Sequence, residues 1–256
     1  MGVGEILDAA IKLYRSQWKR LMAIVAIALV PITFLQIFLT RRIGAPFAEP
    51  TVTQAEFEST VLVGGILGVI QFLVVQPFLT AAVARASVDV YLGRPVLVGP
   101  TLRFAVSRIH SILWITILST LAVLLGIVLL IVPGVIVLVR YLFGSTVLVV
   151  EGRKGTKALG RSWRLAKGHF WKVLGTFILA GIMAAIVASI LRLPGDALFE
   201  AVGPAGWPFA AIGLSLAAIL TTPFTTLITV LLYFDLRIRK EAFDLEIMAQ
   251  EMSSQQ

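Results

Sequence analysis

The chain has 256 residues, of which 58% are hydrophobic and only 14% charged, with a mean hydropathy of +0.95. Soluble domains sit near 45–50% apolar and about 25% charged, so this composition excludes an ordinary soluble domain and predicts an integral membrane protein. The chain has no Cys, which excludes disulfides, thiolate metal sites and Cys nucleophiles; the net charge of +8 reads as the basic bias of cytoplasmic loops.

The first element is amphipathic. In GEILDAAIKLYRSQWK, Leu7, Ile11, Tyr14 and Trp18 share one helical stripe, while Asp8, Lys12 and Arg15 share another. Residues 1–20 are therefore expected to lie in the lipid interface, anchored by Trp18. Six apolar spans follow, at 21–40, 61–82, 111–131, 135–150, 170–191 and 209–234. The first is expected to be retained, since its apolar run is longer than a signal-peptide core. The second carries Gln71 and Gln76, polar groups that can bond across helices. A weaker amphipathic segment, PTLRFAVSRIHS, precedes the third span, with Arg103 and Arg108 polar and Phe104 and Ile109 apolar.

Spans three and four are joined by Val132-Pro133-Gly134, which can make a hairpin or a kink in one long helix. A single crossing needs roughly 20 residues and 111–150 holds far more, so a hairpin is favoured. The basic stretch VEGRKGTKALGRSWRLAKGHFWK comes next. On a helical wheel Lys157, Arg161, Arg164 and Gly168 fall together with Lys167 at the edge, opposite Leu159, Ser162, Trp163, Ala166 and Phe170. This predicts a second interfacial helix, with cations toward anionic headgroups and Trp163 and Trp171 as anchors. Glu151 just before it is placed to pair with Lys154. After span six, 235–256 reads as a charged cytoplasmic tail. Asp235–Arg239 and Lys240–Asp244 are helical pairs there, and Phe243, Ile247 and Met248 are its apolar contacts.

Six spans put every Lys and Arg on one side except Arg41, Arg42, Arg140 and Arg192. An odd number would destroy that pattern, so both termini are expected in the cytoplasm. QPFLTAAVARASVDVYL and TPFTTLITVLLYFDL share the order Pro, Phe, Thr and a later Asp (Pro77 to Asp89, Pro223 to Asp235). They read either as divergent copies of one unit or as prolines simply tolerated in spanning helices.

Two stretches carry a family resemblance. The first is PGVIVLVRYLFGSTVLVVEGRKGTKALGRSWRLAKGHFWKVLG, through Pro133, Gly134, Arg140, Glu151, Gly152, Ala158, Leu159, Ser162, Leu165, Gly168 and Trp171. The second is LLYFDLRIRKEAFDLE, through Tyr233, Asp235, Arg237, Arg239, Lys240, Glu241 and Asp244. Together with the opening GEILDAAIKLYR, they resemble the stand-alone membrane domain family named after glycerophosphoryl diester phosphodiesterase, and the broader YciC-like six-span proteins. The resemblance implies a membrane module without chemistry of its own, because hydrolysis in that family belongs to a separate soluble barrel.

Candidate chemistry is sparse. GRKGTKALG lacks the phosphate-loop spacing, and HExxH, GxSxG and CxxC are absent. Arg140, inside span four, reads either as an inward-facing anion or lipid-phosphate ligand or as a cation that snorkels to headgroups. No metal or cofactor is expected, and the spread of cations over four segments argues against nucleic acid. The sequence therefore predicts an all-α polytopic transmembrane bundle, one integral membrane domain over 1–256, in the cytoplasmic (inner) membrane. Its expected role is a non-enzymatic accessory or scaffold protein that binds anionic lipid or a partner membrane protein. The candidate lipid contacts are Arg140, Lys157, Arg161, Arg164 and Lys167; the structural motif residues are Pro133, Gly134, Glu151, Tyr233, Asp235 and Arg237. A transporter or lipid-translocating protein is the alternative.

Overall fold

The computed structural model describes residues 2–43, 62, 64–203 and 207–254, with side chains at all of these except 34–43, 207 and 242–254. Every element among the described residues is helical. In chain order they are α1 (Val3–Ile43), α2 (Gly64–Tyr91), α3 (Val98–Ser107), α4 (Ile109–Leu129), α5 (Ile131–Tyr141), α6 (Gly144–Glu151), α7 (Gly155–Ala166), α8 (Phe170–Val202) and α9 (Trp207–Ser254). Five segments of described residues are long and apolar enough to cross a membrane: Gly64–Tyr91, Ile109–Leu129, Ile131–Glu151, Phe170–Val202 and Pro208–Glu241. The chain is a multi-pass membrane protein. The outer part of the expected first span, 34–40, falls on residues whose side chains are not described, as does the contact of Phe243, Asp244, Ile247 and Met248.

Apolar side chains face outward along the spans. On α8, Ile178, Ile182, Ile186 and Ile190 form an exposed stripe at four-residue spacing. Water would penalise such a surface, whereas hydrocarbon matches it.

The turn between spans three and four is a true reversal, and it lies earlier than the Pro-Gly link. Leu130 is extended (φ −166°, ψ 147°) and separates α4 from α5. Pro133 falls in the first turn of α5, where a missing N–H leaves no helical bond unmade. A Cβ on Gly126 would sit 2.8 Å from the Cα and N of Gly134. In a straight helix residues eight apart are about 12 Å distant, so the chain must fold back here, and only glycines permit so close an approach. A second hairpin joins α8 and α9, where Gly213 lies against Leu191 and Arg192.

Helices α2 and α9 run side by side. Tyr91 stacks on Phe234 with ring centroids 4.4 Å apart, and one turn earlier Val88 and Val230 share a small core. Contacts in the same order along both chains make the pair parallel. Three crossings therefore separate them, the parity that a reversal at Leu130 requires. Both helices are disturbed by proline: a π-turn at Gln71–Val75 precedes Pro77, and Pro223 lies inside α9. The ring of a proline clashes with the carbonyl four residues back, and a π-turn is one way to relieve it. At α9 the neighbouring Leu220 carbonyl accepts a hydrogen bond from Tyr14 Oη at 3.0 Å. Burial pushes the Tyr14 phenol up to about 12, so it stays a donor at physiological pH.

The N-terminal helix adds a buried face to the expected stripe. Ile6 and Ala10 are fully buried beside Leu7, while Ile11 and Trp18 are exposed. Its inner face packs on the protein core, and α1 kinks at Gln17 (φ −132°, ψ 19°). The expected polar side stands, with Lys12 bonded to Asp8 at 2.8 Å in solvent.

Candidate functional site: a basic cleft at the ends of α7 and α9

Helix α7 forms as the pattern predicts, but its apolar face meets protein rather than lipid. Ala158, Leu159, Ser162, Leu165 and Ala166 are buried against the core shared with α4, α5 and α6. Gly144, at the start of α6, lets the chain approach closely: a Cβ there would lie 3.0 Å from Ile115 and 3.1 Å from Leu159.

Ser162 explains how α7 is fixed. The crossing made by α5 and α6 is interrupted at Leu142 and Phe143, which leaves backbone groups without helical partners. The Ser162 hydroxyl donates to the Arg140 carbonyl at 2.6 Å and accepts from the Phe143 N–H at 3.1 Å. One buried side chain thus satisfies both sides of the break. Ser162→Ala is expected to lower stability by about 2 kcal/mol, because both groups lose their partner away from water. Thermal unfolding of the purified protein in detergent checks this; an unchanged transition would mean the break is satisfied otherwise.

The end of the bundle carries an ion network. Glu151 Oε1 accepts from Arg161 Nε at 2.8 Å and from Tyr233 Oη at 2.9 Å, and Glu151 Oε2 meets Arg153 at 2.8 Å. Arg161 also reaches Glu241 at 2.7 Å, and Glu241 is held by Arg237 at 2.9 Å. Asp235 takes Lys172 at 2.5 Å and Arg239 at 3.2 Å. Lys240 donates to the Arg164 carbonyl. Burial lowers the pKa of the Arg161 guanidinium, but Glu151 and Glu241 outweigh it and hold the value above the ordinary one. Each of these carboxylates is a counter-ion that ties α6, α7, α8 and α9 together. The expected Glu151–Lys154 pair is replaced by Arg153 and Arg161, since the turn at Gly152 (φ +68°) redirects the chain. The expected Asp235–Arg239 pair is present, and the tail's first turn docks on α7.

Beside this network lies a cleft of 990 Å³. Its walls carry Arg153, Arg161, Arg164, Lys167, Arg239 and Lys240, with Glu241 as the carboxylate lining it among the described residues. His169 also lines the wall, and its Nδ1 is buried with no hydrogen-bond partner among the described residues. Gly168, at φ +88°, turns the chain so that Lys167 and His169 both line the cleft.

Of the expected lipid contacts, Arg161, Arg164 and Lys167 come together here. Lys157 does not; it lines a separate 730 Å³ hollow with His110, Trp114 and Lys154. Arg140 lies outside the cleft too. Its guanidinium sits 4.4 Å over the ring of Trp163, which is also in contact with Tyr141. That cation–π contact gives the charge a partner within the fold. Trp163 is therefore a stacking partner, whereas Trp18 and Trp171 are exposed as anchors would be. Arg153, His169, Arg239 and Lys240 were not legible as site residues. Of the motif residues, Glu151, Tyr233, Asp235 and Arg237 belong to the network, and Gly134 to the hairpin. Among the described residues no three His, Asp or Glu side chains cluster as metal ligands.

The chain matches no family model, no curated protein and no solved structure. What distinguishes the cleft is its basic lining at the end of a helical bundle.

Proposed function

We propose that this chain is a non-enzymatic scaffold or accessory protein of the cytoplasmic membrane, a stand-alone membrane module of the family it resembles. It crosses six times, with 21–40 of α1 as the first span and both termini in the cytoplasm. Its basic belt engages anionic lipid or a partner membrane protein. The observation that carries this reading is the cleft walled, among the described residues, by six cations and one carboxylate. Clustered Lys and Arg at a membrane surface attract anionic headgroups by about 1 kcal/mol each. Six spans also put the cleft on the same side as the other basic segments, as cytoplasmic loops require.

The absence of native Cys makes the orientation easy to test. Single Cys replacements at Lys154 and Glu200 are treated with a membrane-impermeant maleimide in intact cells. Glu200→Cys is expected to label at once, and Lys154→Cys only after permeabilisation; the reverse result sinks the orientation. For the scaffold reading, the protein is extracted with its lipids and weighed by native mass spectrometry. Retained anionic lipid or a stoichiometric partner chain supports the reading, and binding neither overturns it.

A second reading, a transporter or lipid-translocating protein, draws on the prolines inside the spans (Pro77, Pro194 and Pro223) and on an apolar groove of 400 Å³ between α1, α8 and α9. Reconstituted flux that vanishes in Arg140→Ala would favour it.

A further inference from the structure

We infer that the cleft between the end of α7 and α9 is a binding site for a phosphate group carrying two negative charges, a phosphomonoester or a diphosphate. The inference deepens the scaffold reading and rests on it for the site's place at the membrane surface.

Charge matching comes first. Arg153 and Arg161 are engaged by Glu151, Arg161 also by Glu241, and Arg239 by Asp235. Arg164 and Lys167 have no carboxylate within salt-bridge distance among the described residues. Both line the cleft, so at least two cations face it without a counter-ion among the described residues. A phosphodiester headgroup brings one negative charge. A phosphomonoester brings about 1.5 to 2 at pH 7, with three strong acceptor oxygens.

Donor geometry is the second reason. The cleft presents Arg side chains from the loop before α7, from α7 itself and from α9. Guanidinium forks bind phosphate oxygens two at a time. His169 stands in the same wall. The alternative occupants are weaker: an acidic residue carries a single charge, and a volume of 990 Å³ is that of a site for a whole headgroup rather than a lone side chain.

The framework is prepared in advance. Arg161 is held by two carboxylates and Lys240 by the Arg164 carbonyl, so the walls are anchored without the ligand. Preorganised donors give up less rotamer freedom on binding.

The experiment uses the full chain, purified in a neutral detergent. Affinities for phosphatidic acid, phosphatidylglycerol, phosphatidylcholine and inorganic pyrophosphate are measured by native mass spectrometry. The wild type, Arg164→Gln, Lys167→Gln and Arg192→Gln are compared; Arg192 lies beyond the cleft in the far half of α8, 4.0 Å from Asp196. Expected is phosphatidic acid about tenfold or more tighter than phosphatidylglycerol, a difference of one added charge-assisted contact. Arg164→Gln and Lys167→Gln should each erase that preference, and Arg192→Gln should leave it. If pyrophosphate shows the same dependence and phosphatidic acid does not bind, the inference stands with a soluble phosphate as its source. Equal affinity for phosphatidic acid and phosphatidylglycerol overturns it and leaves the scaffold reading in place. Failure to bind any anion above phosphatidylcholine, with no partner chain retained, overturns both. Melting curves of each variant confirm folding, which exposed Arg164 and Lys167 do not support.

Discussion

Glu151→Ala is expected to cost the fold about 3 kcal/mol, the scale set by removing one partner of a buried ion pair. The Glu151 side chain is only 9% exposed and Arg161 only 21%. Truncation strips Arg161 of its nearest carboxylate, leaves the Tyr233 hydroxyl without its acceptor, and frees Arg153. Glu241 retains Arg161 but is itself 44% exposed, so it screens the charge less well. Glu151→Gln should fall between, since its amide oxygen can still accept while the negative charge is gone. Arg153→Ala should be nearly neutral, because that side chain is 46% exposed and surface pairs contribute about 0–1 kcal/mol. Thermal unfolding in detergent separates the three. If Glu151→Ala unfolds where Arg153→Ala does, the network does not hold the four helices.

Gly126→Val tests the other strong constraint, the reversal at Leu130. Its Cβ would meet Gly134 backbone at 2.8 Å and the Pro133 carbonyl carbon at 3.1 Å. Side chains can turn away from a clash, but here both neighbours are backbone, so α4 and α5 must move apart. Overpacking costs about 1–3 kcal/mol in cores and more where backbone must shift, and small residues at helix contacts are what membrane packing depends on. The expected result is about 3 kcal/mol or more, read as lost monodisperse protein on gel filtration and a lower unfolding temperature. Gly175→Ala is the control: nothing lies within 4 Å of its added Cβ, and Ala is the better helix former. Equal behaviour of the two variants would mean that the hairpin does not close at Gly126.

The helices were legible because each is encoded locally. The wheel over α7 put Lys157, Arg164 and Lys167 outside and Leu159, Ser162 and Ala166 inside, as found. It could not say what covers the inner face, since lipid and protein select the same apolar residues. Ser162 was the one available signal: a polar side chain on an apolar face needs a hydrogen-bond partner. For α1 the wheel marked the exposed Ile11 and Trp18 but not the second apolar face, Ile6 and Ala10, that packs on the core, because lipid and protein select the same apolar residues. The turn at Leu130 was placed a few residues late. Pro133 suits the first turn of a helix as well as a loop, and only the Gly126–Gly134 contact decides between them.

The sequence by itself determined the class of solvent and the place of five apolar stretches, because transfer of a segment into hydrocarbon depends on that segment alone. Charge placement gives an expected orientation, one loop at a time. The tertiary structure decided which cations keep a counter-ion. Arg161 finds Glu241 across most of the last third of the chain, Lys240 donates to the Arg164 backbone carbonyl, and Arg140 lies over the Trp163 ring. Such pairings depend on how α7 and α9 dock, a property of packed surfaces rather than of any stretch of residues, and they leave Arg164 and Lys167 facing the cleft.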